Sequence, residues 1–110
     1  MEYKAKYKYK ERLELYDKLV RVHLVLNDIK IQEKNIKLLV YFCCFGINES
    51  TYNKIIENGL ASSLQIIYNT RTILGKNNLI ENQKHNVWVV NEKLSALIEN
   101  SLEFRILTRI

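Results

Sequence analysis

Residues 59–91 read GLASSLQIIYNTRTILGKNNLIENQKHNVWVVN, and the order of breakers and apolar positions within them decides the fold. Gly59-Leu60-Ala61 is a tight turn, and Ser62 or Ser63 is placed to cap the helix that follows. Leu64, Ile67 and Leu74 share one side of that helix, with Ile66 and Ile73 on its shoulder. Gly75 and Asn77-Asn78 end it, because Gly and Asn tolerate the left-handed backbone of a helix C-terminus. Leu79-Ile80-Glu81 is then a short strand and Asn82–Asn86 a polar turn. Val87-Trp88-Val89-Val90, β-branched and aromatic, is the return strand.

The other side of the helix carries Gln65, Tyr68, Asn69, Thr72 and Lys76. It is polar, aromatic and basic. No acidic residue occurs between Glu57 and Glu81. A solvated helix usually mixes both signs of charge, so a face cleared of acids points to a polyanion nearby.

This run resembles the recognition helix and wing of a winged helix-turn-helix domain. The residues that carry the resemblance are Ser62-Ser63, the pair Tyr68-Asn69, Leu74, and Lys76-Asn77-Asn78-Leu79-Ile80 leading into the hairpin. Asn78 stands where that family most often has Gly. Asn is the next best left-handed residue, so the geometry is kept.

The preceding residues fit the same order. Ile36, Leu39, Val40 and Cys43 recur at helical spacing, and Glu33 lies in the first turn, where it suits the helix dipole. Leu39–Phe45 is apolar on nearly every side, which places that helix at the centre of the core. Gly46 stops it. Asn48 or Ser50 caps a short helix bearing Tyr52, Ile55 and Ile56, closed by Asn58-Gly59. The expected helices are Gln32–Phe45, Ser50–Asn58 and Ser62–Asn77, with strands near Leu79–Glu81 and Val87–Val90. The expected core is Ile36, Leu39, Val40, Cys43, Ile55, Ile56, Ile67, Leu74, Leu79 and Val89.

The two ends read differently. Tyr3–Lys10 alternates Tyr or Ala with Lys, which is strand period. It is either an edge strand blunted by charge or a basic arm interleaved with tyrosines that meets phosphate. Leu13–Leu26 is read as a helix with Leu15, Leu19, Val22 and Leu26 on one face, and His23 as a packed or surface residue. Asn27-Asp28 breaks it. Glu92–Asn100 is a short helix with Leu94, Leu97 and Ile98 inward, and Leu102–Ile106 alternates again as a strand able to pair with the N-terminus or another subunit. The expected architecture is one α+β domain over 1–110. A basic arm and first helix (1–30) precede a winged-helix core of three helices and a hairpin (31–91), followed by a terminal helix and strand (92–110).

A chain of 110 residues suffices for one core and is too short for two. The absence of Pro and the presence of only three Gly argue for helices joined by short loops. The net charge is +5. Abundant Lys, Asn and Ile with scarce Ala also mark an A+T-rich genome, as in many bacteriophages and low-G+C bacteria, so coding bias contributes to the basicity. Cys43-Cys44 are adjacent and are the only cysteines, so they are read as small buried apolar groups in a reducing setting. No signal peptide and no membrane-length apolar run is visible, which gives a cytoplasmic expectation, in a host cell or packaged in a virion if phage-encoded. No Gly-rich phosphate loop, His-x-x-x-His, Cys-x-x-Cys or nucleophile set is present. An enzyme, a metal centre, a cofactor and a small-molecule substrate are not expected.

The resemblance implies double-stranded DNA as partner, with the third helix in the major groove and the wing on the backbone or in the minor groove. Carried onto this sequence, Ser62, Ser63, Gln65, Tyr68, Asn69 and Thr72 would face the DNA, and Arg71, Lys76, Lys84 and His85 would meet phosphates. The chain would then be a transcription regulator or accessory factor. The competing expectation is a non-enzymatic docking or structural module of the same fold, such as a phage virion component or an RNA-polymerase-associated protein. It would use Ile66, Ile73 and the terminal strands to hold a protein partner or a second copy.

Overall fold

The computed structural model describes residues 2–108, and the side chains of 10–101 apart from Asn86. The elements run α1 (Glu2–Leu26), α2 (Glu33–Phe45), α3 (Glu49–Glu57), α4 (Leu64–Lys76), β1 (Ile80–Gln83), a single 3₁₀ turn (Lys84–Asn86), β2 (Val87–Val90) and α5 (Glu92–Thr108). The class is α+β: five helices and one two-stranded antiparallel hairpin, with Ile80 opposite Val90 and Gln83 opposite Val87. This layout is compatible with a winged-helix-like arrangement.

The turns follow from the residues that can make them. Asp28, Gly46, Gly59 and Asn78 take left-handed φ values of 52°, 88°, 73° and 59°, each just beyond a helix end. Asn48 caps α3, its Oδ1 accepting from the Thr51 amide at 3.0 Å. Ser63 occupies the N-cap of α4 with extended backbone, but its hydroxyl makes no capping bond.

The core is one cluster. Leu38, Leu39 and Phe42 of α2 meet Ile55 of α3, Ile67 and Leu74 of α4, Leu79 and Ile80 at the hairpin base, Val20 of α1 and Leu94 of α5. Of the expected core, Cys43, Ile56 and Val89 are only half-buried. Burial still pushes the Cys43 thiol up to about 12, with the neighbouring Cys44 adding to the shift.

Three expectations are corrected. Residues 3–9 and 102–106 are not strands but parts of the helices α1 and α5. No Gly or Pro interrupts 2–26 or 92–108. A helix once nucleated adds one bond per residue, and that outweighs a short alternation. Among the described residues there is therefore no terminal strand to bind a second subunit; Arg109 and Ile110 lie outside them. The buried side of α1 is also rotated: Tyr16, Val20, His23 and Leu24 point inward, while Val22 is half-exposed and Leu26 is 74% exposed. This segment is apolar on both stripes, so periodicity alone did not choose between them. Finally, Leu64 is 44% exposed. It lies about a quarter-turn from the Ile67–Thr70–Leu74 stripe, at the first residue of α4.

Buried Thr70 completes that stripe instead, donating from Oγ1 to Oδ1 of the buried Asn35 at 2.9 Å and so pinning α4 to α2. Arg21 ties α1 to the start of α2. Its Nε donates to Asp17 at 3.0 Å and both terminal nitrogens grip the Glu33 carboxylate. That guanidinium holds the Glu33 carboxyl below the usual carboxylate range.

His23 is 6% exposed, and burial, with the charge of Lys93 second, holds its pKa below the ordinary histidine value. Its folded value is depressed, so between the two values the unfolded chain binds the extra proton. Stability is therefore present above about pH 6.5 and falls as the pH drops through that point. Denaturant unfolding of the wild type is expected to show that decline. His23→Gln is expected to flatten it, leaving the Glu33 contribution to be lost only below about pH 4.3. An identical pH profile for the two proteins would sink the assignment.

Candidate nucleic-acid interface

Among the described residues on the outward face of α4 only Tyr68 is packed, its ring edge-on to Tyr52 of α3. Gln65, Asn69, Thr72 and Lys76 are exposed, and Tyr68 is partly so, as the helical spacing predicts. Gln65 Nε2 donates to Asn69 Oδ1 at 3.0 Å, one turn along the helix, so the two amides form a ready-set row of donors and acceptors. Thr72 Oγ1 bonds back to the Tyr68 carbonyl at 3.2 Å. Ser62 and Ser63 are exposed at the N-terminal end of the same face. Thirteen residues of helix are about 20 Å long, enough to lie in a duplex major groove about 12 Å wide.

The hairpin stands beside this face. Leu79 and Ile80 root it in the core, and the Asn91 amide returns to the Leu79 carbonyl at 2.9 Å. Trp88 of β2 covers Gly75 of α4, where a Cβ would sit 3.5 Å from its ring. Lys84 and His85 are exposed at the far turn, His85 with a left-handed φ of 64°.

Arg71 departs from its expected role as an open phosphate contact. Its guanidinium is folded into the seam between α4 and the hairpin, with its carbon 4.6 Å from the Tyr68 ring centre, 5.0 Å from Trp88 and 6.0 Å from Tyr52. One terminal nitrogen donates to the Tyr52 hydroxyl at 3.0 Å, while Nε is buried with no partner. Tyr52 stacks edge-on with both Phe42 and Tyr68. No carboxylate pairs with Arg71 among the described residues. A weakly hydrated guanidinium suits such a slot, and its charge stays uncancelled. Helical spacing places Tyr52 only on an inward face, and composition places Trp88 only in a strand. The only local signal for their meeting is Arg71 one helical turn from Tyr68; the approach of Gly75 to Trp88 appears in the fold alone.

The structure thus gathers Gln65, Tyr68, Asn69, Thr72 and Lys76 on one face with Ser62 and Ser63 at its end, puts Lys84 and His85 on the flanking turn, and turns Arg71 inward. Among the described residues no group of three or more His, Cys, Asp or Glu side chains converges as a metal site would require, and no helix is long and apolar enough to cross a membrane. Comparison of the chain with known protein families, with curated proteins and with solved structures finds no match.

Proposed function

We propose that the chain is a DNA-binding protein of winged-helix type, with α4 as the helix that enters the major groove and the β1–β2 hairpin as the wing. The observation that carries this reading is the outward face of α4: amides, a tyrosine and a lysine, free of carboxylates and flanked by a hairpin tipped with Lys84 and His85. The paired amides of Gln65 and Asn69 suit bidentate reading of adenine, and Lys76, Lys84 and the N-terminal amides of α4 left uncapped by Ser63 suit phosphates. On this reading the protein acts as a transcription regulator or accessory factor in the cytoplasm of the cell that makes it.

Two substitutions are expected to differ in kind. Asn69→Ala should weaken binding to a selected site by about 1–3 kcal/mol and leave random duplex nearly unchanged, because a base contact carries sequence information. Lys84→Ala should weaken all duplexes alike and flatten the salt dependence by about one unit, because a phosphate contact releases one counterion. Anisotropy titrations against labelled duplex across a salt series measure both. Absence of binding to any duplex at low salt would refute the proposal.

A further inference from the structure

On the side of α4 away from Trp88, two adjoining pockets of about 450 and 270 Å³ share Lys34, Asn35 and Ile73, and so form one furrow between the first turn of α2 and α4. Its walls are mixed: Ile31 at one end, Leu60 at the other, and Ile66 and Ile73 along α4 give apolar patches between polar groups such as Gln32, Asn69 and Asn77. Ile73 is 38% exposed, a large aliphatic group left in water. Lys30 and Lys34 stand exposed on the rim. No carboxylate lines either pocket. Glu33 is close in sequence, but its carboxylate is turned to Arg21.

Two further features carry the same sign. The first turn of α2 has no side-chain cap; the Asn35 amide donates to the Gln32 carbonyl at 3.0 Å, which leaves the Glu33 and Lys34 amides open to an anion. Asn35, 2% exposed, lines both pockets; its Oδ1 is taken by Thr70, while its amide nitrogen donates to no described residue.

We infer that this furrow docks a short peptide segment of a partner protein that carries both carboxylates and large apolar side chains. The apolar groups would seat on Ile31, Ile66 and Ile73, and the carboxylates would meet Lys30, Lys34 and the open end of α2. A helical segment presenting side chains at i, i+3 or i+4, and i+7 matches a furrow that follows α4 from Ser62 to Asn77, about 22 Å. A nucleic-acid backbone fits less well, since its hydrated phosphates would leave the isoleucines uncovered. Ser62 and Asn69 line the furrow and also lie on the proposed DNA face, so a docked peptide and a duplex would meet at those two residues, whereas Lys30, Ile31 and Ile73 belong to the furrow alone.

The test pans a random dodecapeptide display library against the full chain and titrates the most enriched clone, as a labelled peptide, against variants. Enriched clones are expected to combine Asp or Glu with Leu, Ile or Phe at helical spacing. The double substitution Lys30→Glu/Lys34→Glu, on two exposed side chains, is expected to weaken the peptide about tenfold or more, as is Ile73→Asp. Thermal melts check that each variant folds, and the lysine pair decides if Ile73→Asp does not. Random-duplex affinity is followed in parallel. Enriched clones without acidic residues, or a peptide indifferent to the lysine pair, would overturn the inference. So would a lysine pair that weakens duplex binding and spares the peptide, which would make the furrow a seat for the DNA backbone.

Discussion

Leu74→Ala is expected to lower the free energy of unfolding by about 2–5 kcal/mol, through lost burial and the cavity left behind. Leu74 is fully buried, with Ile67 two helical turns before it and Leu79 just after the helix end. The backbone there is fixed independently: the Leu79 amide donates to the Leu74 carbonyl at 3.0 Å. The chain is thus held in place on one side of the cavity and cannot easily close over it, which argues for the upper part of the range. Leu64→Ala is the matched control, the same chemistry on the same helix. At 44% exposure it is expected to cost no more than about 0.5–1 kcal/mol. Denaturant midpoints with unchanged slopes measure both. Equal costs would mean that the inward face of α4 is wrongly identified.

That contrast also shows how far the sequence could be read. The segment 33–90 was legible because each of its elements is fenced by residues with few conformational options: Gly46, Asn48, Gly59 and Asn78 all sit at helix ends in the geometry their chemistry favours. Between those fences the apolar spacing named Ile67, Leu74 and Leu79 correctly. The ends of the chain have no such fences. There a Tyr-Lys alternation and a helical pattern compete, and the longer uninterrupted helix prevails. Composition could not say which stripe of Leu13–Leu26 turns inward, since that depends on where α2 and α5 lie. The outward face of α4 was legible for the same reason as its core: period 3.6 fixes both at once. Arg71 was not, because its charge suggested solvent while its neighbours across the seam, Tyr52 and Trp88, lie 19 and 17 residues away in sequence.

Trp88→Ala is expected to be the second most costly change, and it tests that seam. A fully buried Trp truncated to Ala costs about 3–5 kcal/mol; Trp88 is only half-buried, so about 2–3 kcal/mol is expected. Part of that loss belongs to Arg71, whose guanidinium would lose one of its three aromatic faces. A double-mutant cycle with Arg71→Ala isolates the shared part, expected at about 0.5–2 kcal/mol for a partly desolvated cation over a ring. Arg71→Lys should not rescue it, because an ammonium cannot lie flat between Tyr68 and Trp88 while also reaching the Tyr52 hydroxyl. The consequence reaches the hairpin before it reaches the core. Leu79 and Ile80 hold the base of β1, so the chain should stay folded, while amides across 81–89 exchange faster in Trp88→Ala than in wild type. If the hairpin is a wing, its loosening should also lower affinity for every duplex, with the sequence preference of α4 retained. A cycle in which the two losses simply add would show that Arg71 and Trp88 are neighbours without being partners, and that something other than this cation holds the hairpin against α4.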